Sequence, residues 1–567
     1  MKIIYKTLRT LCAAACLSAV ASCSITDLDI TNDPNNPLQA APNLILASAQ
    51  LNTVGFFQTI SNDAQAFVGI LATQGTDAYN LNNGSYGGAW NFFYQTPGKD
   101  IDGLIRSTSA AGNNPYYLGI AQAMKAYTYS LMVDSFGNIP YSEAMSGDVD
   151  GNITPKIDQA KDIYPKLIQL CDSAVINLNK TSAVVVEGDL FYGGNISRWK
   201  KLANTVKLRL LVNSSRAAGA NNTAAIQAII TAGDYIKLPA ENFEFRYNRL
   251  NAPEGRHPWY QQSYAAANNN FTYFSHQLMY EMMRDDDPRL PYYFKRQFGG
   301  ILNPNDPTDK STIPCSQTVG CKYSYWVLNP FIWKTLYTDK GKTPTKADTT
   351  YIAGFFGRDR GDISGVPADV DFRTVPGTYP AGGQYDVLRA SKTGGVNTRG
   401  TGDGIAPIIM TWMVKYYHIE SILALGVSGD AKALFEAAMR EQIAKVQVVG
   451  NTADPANVVP MSPAAINAYV KLYLDRYDAA PTSNAKLNLV LKQAWFSSLG
   501  NGYETWNAFR RTGYPNDIQV PLQRIKNFAL RLPFPTSELS LNPNAKDPGA
   551  FDSPAGKLFW DPIGFNF

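Results

Sequence analysis

The chain has 567 residues, of which 45% are hydrophobic and 12% aromatic, and this composition excludes an intrinsically disordered protein. Only 17% of the residues are charged and the formal net charge is +4, which argues against nucleic acid as the main partner, because phosphate binding needs a strong basic excess. The three histidines are scattered along the chain, which argues against a His-rich metal site. We expect no bound metal and no cofactor.

The first 22 residues have the pattern of a secretory signal peptide. Three basic residues precede an apolar run over residues 11–20, which is too short to span a bilayer. The run leads into Val20-Ala-Ser-Cys23, which resembles a bacterial lipobox, and an ordinary signal peptide with a chance cysteine is the alternative. We predict a signal peptide over residues 1–22 and a lipid anchor on Cys23, followed by a tether up to residue 42. Membrane attachment through acyl chains follows from this prediction.

Helical periodicity dominates the chain after the tether. The apolar spacing in Tyr116–Phe136 predicts a helix that Gly137 ends in a left-handed conformation. A single apolar stripe predicts a second helix over Asp162–Lys180, on which Cys171 is expected to be a small buried hydrophobic side chain. A third helix is predicted over Ser197–Arg216.

Between about residues 234 and 405 the sustained helical periodicity is mostly lost. Pro, Gly, Asn and Asp interrupt the sequence every few residues, and Met279–Met283 is the main candidate helix. A long irregular stretch inside a compact domain is usually functional or disordered, and the Trp and Tyr content here argues for order. Cys315 and Cys321 lie in a loop of this stretch. We favour a disulfide between them in an exported protein, with two free thiols as the alternative.

Four more helices are predicted after the irregular stretch. Pro407 stands in the first turn of the first helix and Gly426 just past its end, while Gly500 ends the last helix. The four segments are Pro407–Leu425, Asp430–Val446, the helix that opens at Ser462-Pro463, and Asn484–Leu499.

These patterns predict a mainly α protein, in which helix pairs form a scaffold that carries a loop-rich part. We expect a single domain over residues 43–567. The helical scaffold occupies about 43–233 and 406–515, and the loop-rich insert about 234–405.

No catalytic signature stands out in the sequence. The chain lacks the His-Glu-x-x-His, Gly-x-Ser-x-Gly and nucleotide-binding P-loop patterns. Its many acidic residues offer carboxylate pairs for glycoside hydrolysis, but no spacing singles out one pair. We therefore expect a binding protein and not an enzyme.

Aromatic and amide side chains are concentrated in residues 75–91, which also contain four glycines. Aromatic rings present apolar faces on which the C–H faces of sugars stack, and amides supply hydrogen bonds to hydroxyl groups. For Trp90 the alternative, given equal weight, is that it begins a buried segment. The candidate ligand-binding residues of this loop are Tyr79, Asn82, Tyr86, Trp90 and Asn91.

Several stretches, in this order and behind a lipobox, together resemble the SusD/RagB family of outer-membrane nutrient-binding lipoproteins from Bacteroidetes. The stretches are Asn32-Asp-Pro-Asn-Asn-Pro37, Val133-Asp-Ser-Phe-Gly-Asn-Ile-Pro-Tyr-Ser-Glu-Ala144, Asp189-Leu-Phe-Tyr-Gly-Gly194 with Trp199-Lys-Lys-Leu202, Asp287-Pro-Arg-Leu-Pro291, Gly357-Arg-Asp-Arg-Gly-Asp362, Tyr379-Pro-Ala-Gly-Gly383, Gly500-Asn-Gly-Tyr-Glu-Thr-Trp506 with Arg510-Arg-Thr-Gly-Tyr-Pro515, Arg531-Leu-Pro-Phe-Pro535 and Glu538-Leu-Ser-Leu-Asn-Pro-Asn544.

The resemblance implies four tetratricopeptide-like helix pairs and a lid over a SusC-like TonB-dependent outer-membrane transporter. The lid would capture an oligosaccharide, or in some members a peptide, and pass it to the barrel. Family starch binders use loop aromatics, which adds the stretch around Trp326 to the candidate ligand site. Outward display is expected, although Leu28 separates Asp27 from Asp29 where this group often has a compact acidic run. A surface endoglycanase and an adhesion lipoprotein are the alternatives from other functional classes.

Overall fold

We describe the protein from a computed structural model. The residues that the structure describes are 40–72, 81–112, 114–147, 150–265, 272–297, 355, 357–358, 360–361, 373–387, 400–521 and 528–563. Several predictions concern residues outside these ranges. They are the signal peptide, the anchor at Cys23 and nearly all of its tether, Tyr79, Trp326, and the disulfide between Cys315 and Cys321.

Helices dominate the described residues. They are α1 (Pro42–Phe67), α2 (Gly87–Gln95), α3 (Pro97–Ala111), α4 (Pro115–Phe136), α5 (Ala160–Leu178), α6 (Ile196–Asn213), α7 (Thr223–Ala232), α8 (Pro258–Tyr260), α9 (His276–Arg284), α10 (Leu290–Tyr293), α11 (Thr411–Leu425), α12 (Ala431–Ala453), α13 (Pro463–Ala479), α14 (Ser483–Phe496), α15 (Gly502–Thr512) and α16 (Thr536–Leu541). The strands are β1 (Leu71–Ala72), β2 (Ile139–Pro140), β3 (Ile157–Asp158), β4 (Phe243–Arg246), β5 (Tyr273–Phe274), β6 (Phe294–Lys295), β7 (Val375–Pro376) and β8 (Ile405–Ile409).

The long helices pack against one another in succession, and the last of them closes on the first. α1 packs on α3, α3 on α4, α4 on α5, and α5 on α6. α6 contacts α11, and α11 packs on both α12 and α14. α13, α14 and α15 then continue the series, and α15 packs against α1. This succession of paired helices is the mainly α scaffold predicted from the sequence patterns, and it agrees with the tetratricopeptide-like helix pairs that the family resemblance implies. In the described part of the chain, no helix is both long enough and apolar enough to cross a membrane.

The helix ends follow local sequence signals. The side chains of Asp430, Ser462 and Thr482 each accept a hydrogen bond from a backbone N–H in the first turn of α12, α13 and α14. Gly426 follows α11 in the left-handed helical conformation, with φ 74° and ψ 20°. Gly137 follows α4 with a positive φ of 81°, which suits glycine, but its ψ of −114° shows that the left-handed cap predicted there is not formed. The helices predicted around these residues are therefore confirmed, with bounds shifted by a few residues.

The prediction that a helix begins at Pro407 is wrong. Residues 405–409 form β8, which pairs antiparallel with β4 and sets Glu244 opposite Pro407. α11 begins only at Thr411. The pairing joins residues more than 150 positions apart, so no local pattern could reveal it. The candidate helix at Met279–Met283 is confirmed as part of α9.

Asp134, in the most distinctive of the resemblance stretches, is the centre of a buried hydrogen-bond network. Its side chain is fully buried, and its two carboxylate oxygens accept hydrogen bonds from five side chains. The donors are Tyr164, Arg209, Asn213, Asn507 and Trp560. Arg209 also donates to Glu504 at 2.8 Å, so the network extends to the start of α15. The two stretches that begin at Val133 and Gly500 therefore meet in the core.

Other stretches that carry the family resemblance also form hydrogen bonds and ion pairs inside the scaffold. Asp189 accepts hydrogen bonds from the indole of Trp199 at 2.8 Å and from the amide of Gln50 at 2.9 Å, which ties the loop before α6 to α1. Arg289 is fully buried and pairs with Asp287 in the same stretch. In these cases the distinctive residues satisfy polar groups inside the scaffold.

Candidate ligand-binding site

The loop that carries most of the predicted ligand residues is fixed at its base. Asn83 donates a hydrogen bond to the Phe534 carbonyl at 2.9 Å, which ties the loop to the C-terminal segment. The side-chain oxygen of Asn82 accepts from the backbone N–H of Gly84 at 2.8 Å, forming an Asx turn. The loop then enters α2, whose residues include Trp90 and Asn91.

Trp90 lies in the core. Its side chain is 2% exposed, and its ring packs edge-on against Phe136 with centroids 5.0 Å apart. The rings of Tyr94 and Phe534 lie 5.3 Å away on other sides. No ligand reaches the ring in this conformation. Trp90 therefore belongs to a buried segment, which was the alternative prediction from the sequence.

The other predicted residues of the loop divide by exposure. Asn82 and Asn91 are exposed, whereas Tyr86 is only 8% exposed. The side chain of Asn91 makes no hydrogen bond to any described residue, so its amide is available to a ligand. The loop therefore offers amide groups to solvent, with little aromatic surface in its described part.

Aromatic side chains are shielded from solvent throughout the described part of the chain. None of its Trp, Tyr or Phe side chains is classed as exposed. The large rings, such as those of Trp199, Trp495 and Trp506, are fully buried. The aromatic excess seen in the composition is therefore largely core packing within the described residues, and an exposed stacking platform is not formed there.

A polar face of α1 lies beside the loop. The indole of Trp259 donates to the Asn62 side-chain oxygen at 3.2 Å. The Gln58 side chain is close enough to Tyr247 to oppose the rise that burial causes in the pKa of that tyrosine. A Cβ atom placed on Gly55 would lie 3.4 Å from the Phe92 ring, so α1 and α2 are in close contact. Sequence reasoning missed this face, because the residues that contact it, Tyr247 and Trp259, are far away along the chain.

Asp63 on α1 adds a titratable group to this region. Burial raises its pKa to about 7, and its charge in turn contributes to the raised pKa of Tyr86, after burial of the Tyr86 ring itself. Asp63 is therefore partly in the neutral carboxylic acid form near pH 7. In that form it both donates and accepts hydrogen bonds.

We call the exposed or half-buried polar side chains of α1 and the loop the amide surface. Carboxamides supply both donors and acceptors, which suits a ligand with many hydroxyl groups and little charge. Among the described residues, no group of three or more His, Cys, Asp or Glu side chains is arranged to hold a metal ion. The members of the amide surface are Gln58, Asn62, Asp63, Asn82 and Asn91.

The fold is similar to those of several solved structures. A SusD homologue from Bacteroides fragilis superposes with a TM-score of 0.63 at 18% identity, over 92% of this chain and 99% of its own. A SusD/RagB family protein from Bacteroides thetaiotaomicron gives 0.65, also at 18% identity, over 92% and 99%. A chitin-binding SusD homologue from Flavobacterium johnsoniae gives 0.63 at 17% identity, over 92% and 100%. The fold is thus that of tetratricopeptide-like helical proteins.

Two family models match the sequence. The model described as "Starch-binding associating with outer membrane" matches residues 34–307, and the model described as "Susd and RagB outer membrane lipoprotein" matches residues 412–561. The chain belongs to the SusD/RagB family, as its resemblance stretches indicated. A comparison with curated proteins finds no match.

Proposed function

We propose that this protein is a cell-surface lipoprotein that binds an oligosaccharide and delivers it to a SusC-like TonB-dependent outer-membrane transporter. The observation that carries the proposal is family membership, since one of the two matching models is described as starch-binding. The chitin-binding proteins among its structural neighbours are consistent with it. The protein binds its ligand without chemical change, in keeping with the lack of a catalytic motif in the sequence.

The amide surface is the proposed contact for the glycan within the described residues. Its groups are uncharged apart from Asp63, so they bind hydroxyl groups without needing charge attraction. Affinity should therefore change little with salt concentration. Tyr79 and Trp326 remain proposed stacking residues.

Replacing Asn82 and Asn91 together by alanine should weaken glycan binding about tenfold, because each amide is worth about 0.5–1.5 kcal/mol in net hydrogen bonding. Isothermal titration calorimetry with a panel of oligosaccharides and peptides measures this effect. Asn451→Ala, at an exposed amide on α12, is the matched control and should bind as the unchanged protein does. Tight binding of peptides alone would contradict the glycan proposal, and so would release of sugar products from a polysaccharide.

Replacing Cys23 by alanine should release the protein from the membrane, because the thiol that would carry the lipid is gone. Cell fractionation with immunoblotting measures the shift from the outer-membrane fraction to the soluble periplasmic fraction. Cys171→Ala is the control and should leave fractionation unchanged, since Cys171 is buried inside the scaffold. A Cys23→Ala protein that stays in the membrane would contradict the lipid anchor. Co-purification with a barrel-type transporter tests the proposed partner.

A further inference from the structure

A surface depression elsewhere on the described part of the chain shares no residue with the amide surface. It has a volume of about 250 Å³ and lies between the end of α4, the first turn of α5 and the C-terminal segment. Three cationic side chains line it, and no Asp or Glu is among the described residues of its wall. We call this depression the basic groove and define its cations as Lys161, Arg531 and Lys557.

Arg531 is the unusual member of the groove. Only 3% of Arg531 is exposed to solvent. Buried arginines are normally paired with a carboxylate. Here it donates instead to the carbonyl oxygens of Leu532 at 3.0 Å and Gly549 at 2.5 Å, and it forms no ion pair with any described residue. Neutral carbonyls satisfy two of its donors but leave its charge without a direct counter-ion.

The surroundings of Arg531 compensate for this charge only weakly. Burial lowers its pKa to about 10, and the single charge that opposes this effect is that of Asp547. The carboxylate of Asp547 is itself engaged with the Asn83 side chain at 3.3 Å and with the Gly549 backbone N–H at 3.0 Å. Arg531 lines the groove, and only two of its five guanidinium N–H groups donate to described carbonyl oxygens, so donors remain for an anion.

The other side of the groove adds further positive potential. Asn138 accepts from the backbone N–H of Ala160 at 2.8 Å and so fixes the start of α5, a 19-residue helix, at the groove. Lys161, in the first turn of α5, is exposed and makes no hydrogen bond or ion pair with described residues. Lys557 approaches from the C-terminal segment and donates only to the Pro562 carbonyl at 3.3 Å. Asp162, in the same turn of α5, does not line the groove.

We propose that the basic groove is a binding site for one small anion that carries a carboxylate, sulfate or phosphate group. The guanidinium of Arg531 supplies directed hydrogen bonds, and the two lysines supply mobile point charges. A volume of about 250 Å³ gives room for an oxyanion or for a single acidic sugar. The proposal does not rest on the proposed glycan delivery, because no residue of the groove belongs to the amide surface.

Isothermal titration calorimetry on the full mature chain tests this proposal, at low and constant ionic strength because salt screens such interactions. The probes are sodium phosphate, sodium sulfate and sodium glucuronate, with glucose as the uncharged control. We expect saturable binding of at least one anion at a single site, and no binding of glucose there. Tightest binding of glucuronate would identify an acidic sugar as the ligand, and tightest binding of phosphate or sulfate would identify a tetrahedral oxyanion.

Variants decide whether the groove is the site of any binding observed. Lys161→Ala combined with Lys557→Ala should weaken anion binding at least tenfold, whereas Lys99→Ala, at an exposed lysine on α3, should leave it unchanged. These substitutions lie at exposed positions and should preserve folding. The double lysine variant is therefore the decisive test. Arg531→Gln is less suitable, because it also removes the hydrogen bonds of Arg531 to the carbonyls of Leu532 and Gly549 in the C-terminal segment. Absence of saturable anion binding, or equal affinity in the double variant, would overturn the proposal.

Discussion

Replacing Asp134 by alanine should lower the free energy of unfolding by about 3–5 kcal/mol, the range measured when one partner of a buried ionic pair is removed. The substitution leaves donors on Trp560, Asn213 and Asn507 without their acceptor, in a region that water does not reach. Arg209 keeps its bond to Glu504, so its charge is still partly compensated. Urea denaturation followed by circular dichroism measures the loss.

A surface aspartate provides the control for this experiment. Asp172 forms an ion pair with Lys207 at 2.7 Å, and its side chain is 51% exposed. Asp172→Ala should therefore change the free energy of unfolding by no more than about 1 kcal/mol. If Asp134→Ala unfolded at the same urea concentration as Asp172→Ala, the network around Asp134 would not be holding the scaffold together.

The network also shows what sequence patterns do and do not reveal. The stretch around Asp134 could be recognised as distinctive, and the helix before Gly137 followed from apolar spacing. However, the donors to Asp134 lie between 30 and 426 positions along the chain from it. Periodicity reports only which face of a helix is buried, so it cannot show which distant side chains meet there. The role of the stretch in the core therefore required the structure.

The same reasoning applies to strands and to the ends of helices. α12 was predicted to end at Val446 but continues to Ala453, because its last turns are also buried against neighbouring elements. Residues 407–409 were predicted as the start of a helix, but they belong to a strand that forms through pairing with β4. Tertiary contacts outweigh a local preference of about 1 kcal/mol or less per residue.

The candidate site was harder to predict from the sequence than the scaffold. An aromatic ring beside Gly and Asn residues suits both a stacking platform and the start of a buried helix, and nothing local separates the two. Trp90 and Asn91 are adjacent in sequence, yet Trp90 is buried and Asn91 is exposed, because successive helical side chains point about 100° apart. The polar face of α1 was missed because its partner, Trp259, is almost 200 positions away.

Trp90 and Asn91 provide an experiment that separates folding from binding. Trp90→Ala should lower the free energy of unfolding by about 3–5 kcal/mol, since it removes a large side chain packed against Phe136 and Phe534. Asn91→Ala should change stability by about 0.5 kcal/mol or less, because its side chain is exposed. Urea denaturation measures both.

The two substitutions should affect glycan affinity in the opposite order. Under conditions where both variants are folded, Trp90→Ala should keep its affinity for glycan, because a ring that is 2% exposed offers a ligand no face to stack on. Asn91→Ala should bind more weakly, since it loses an amide that no described residue uses. A Trp90→Ala protein that is as stable as the unchanged chain but no longer binds glycan would show that the ring leaves the core to meet the ligand. In that case the loop would have to open before the protein could capture its substrate.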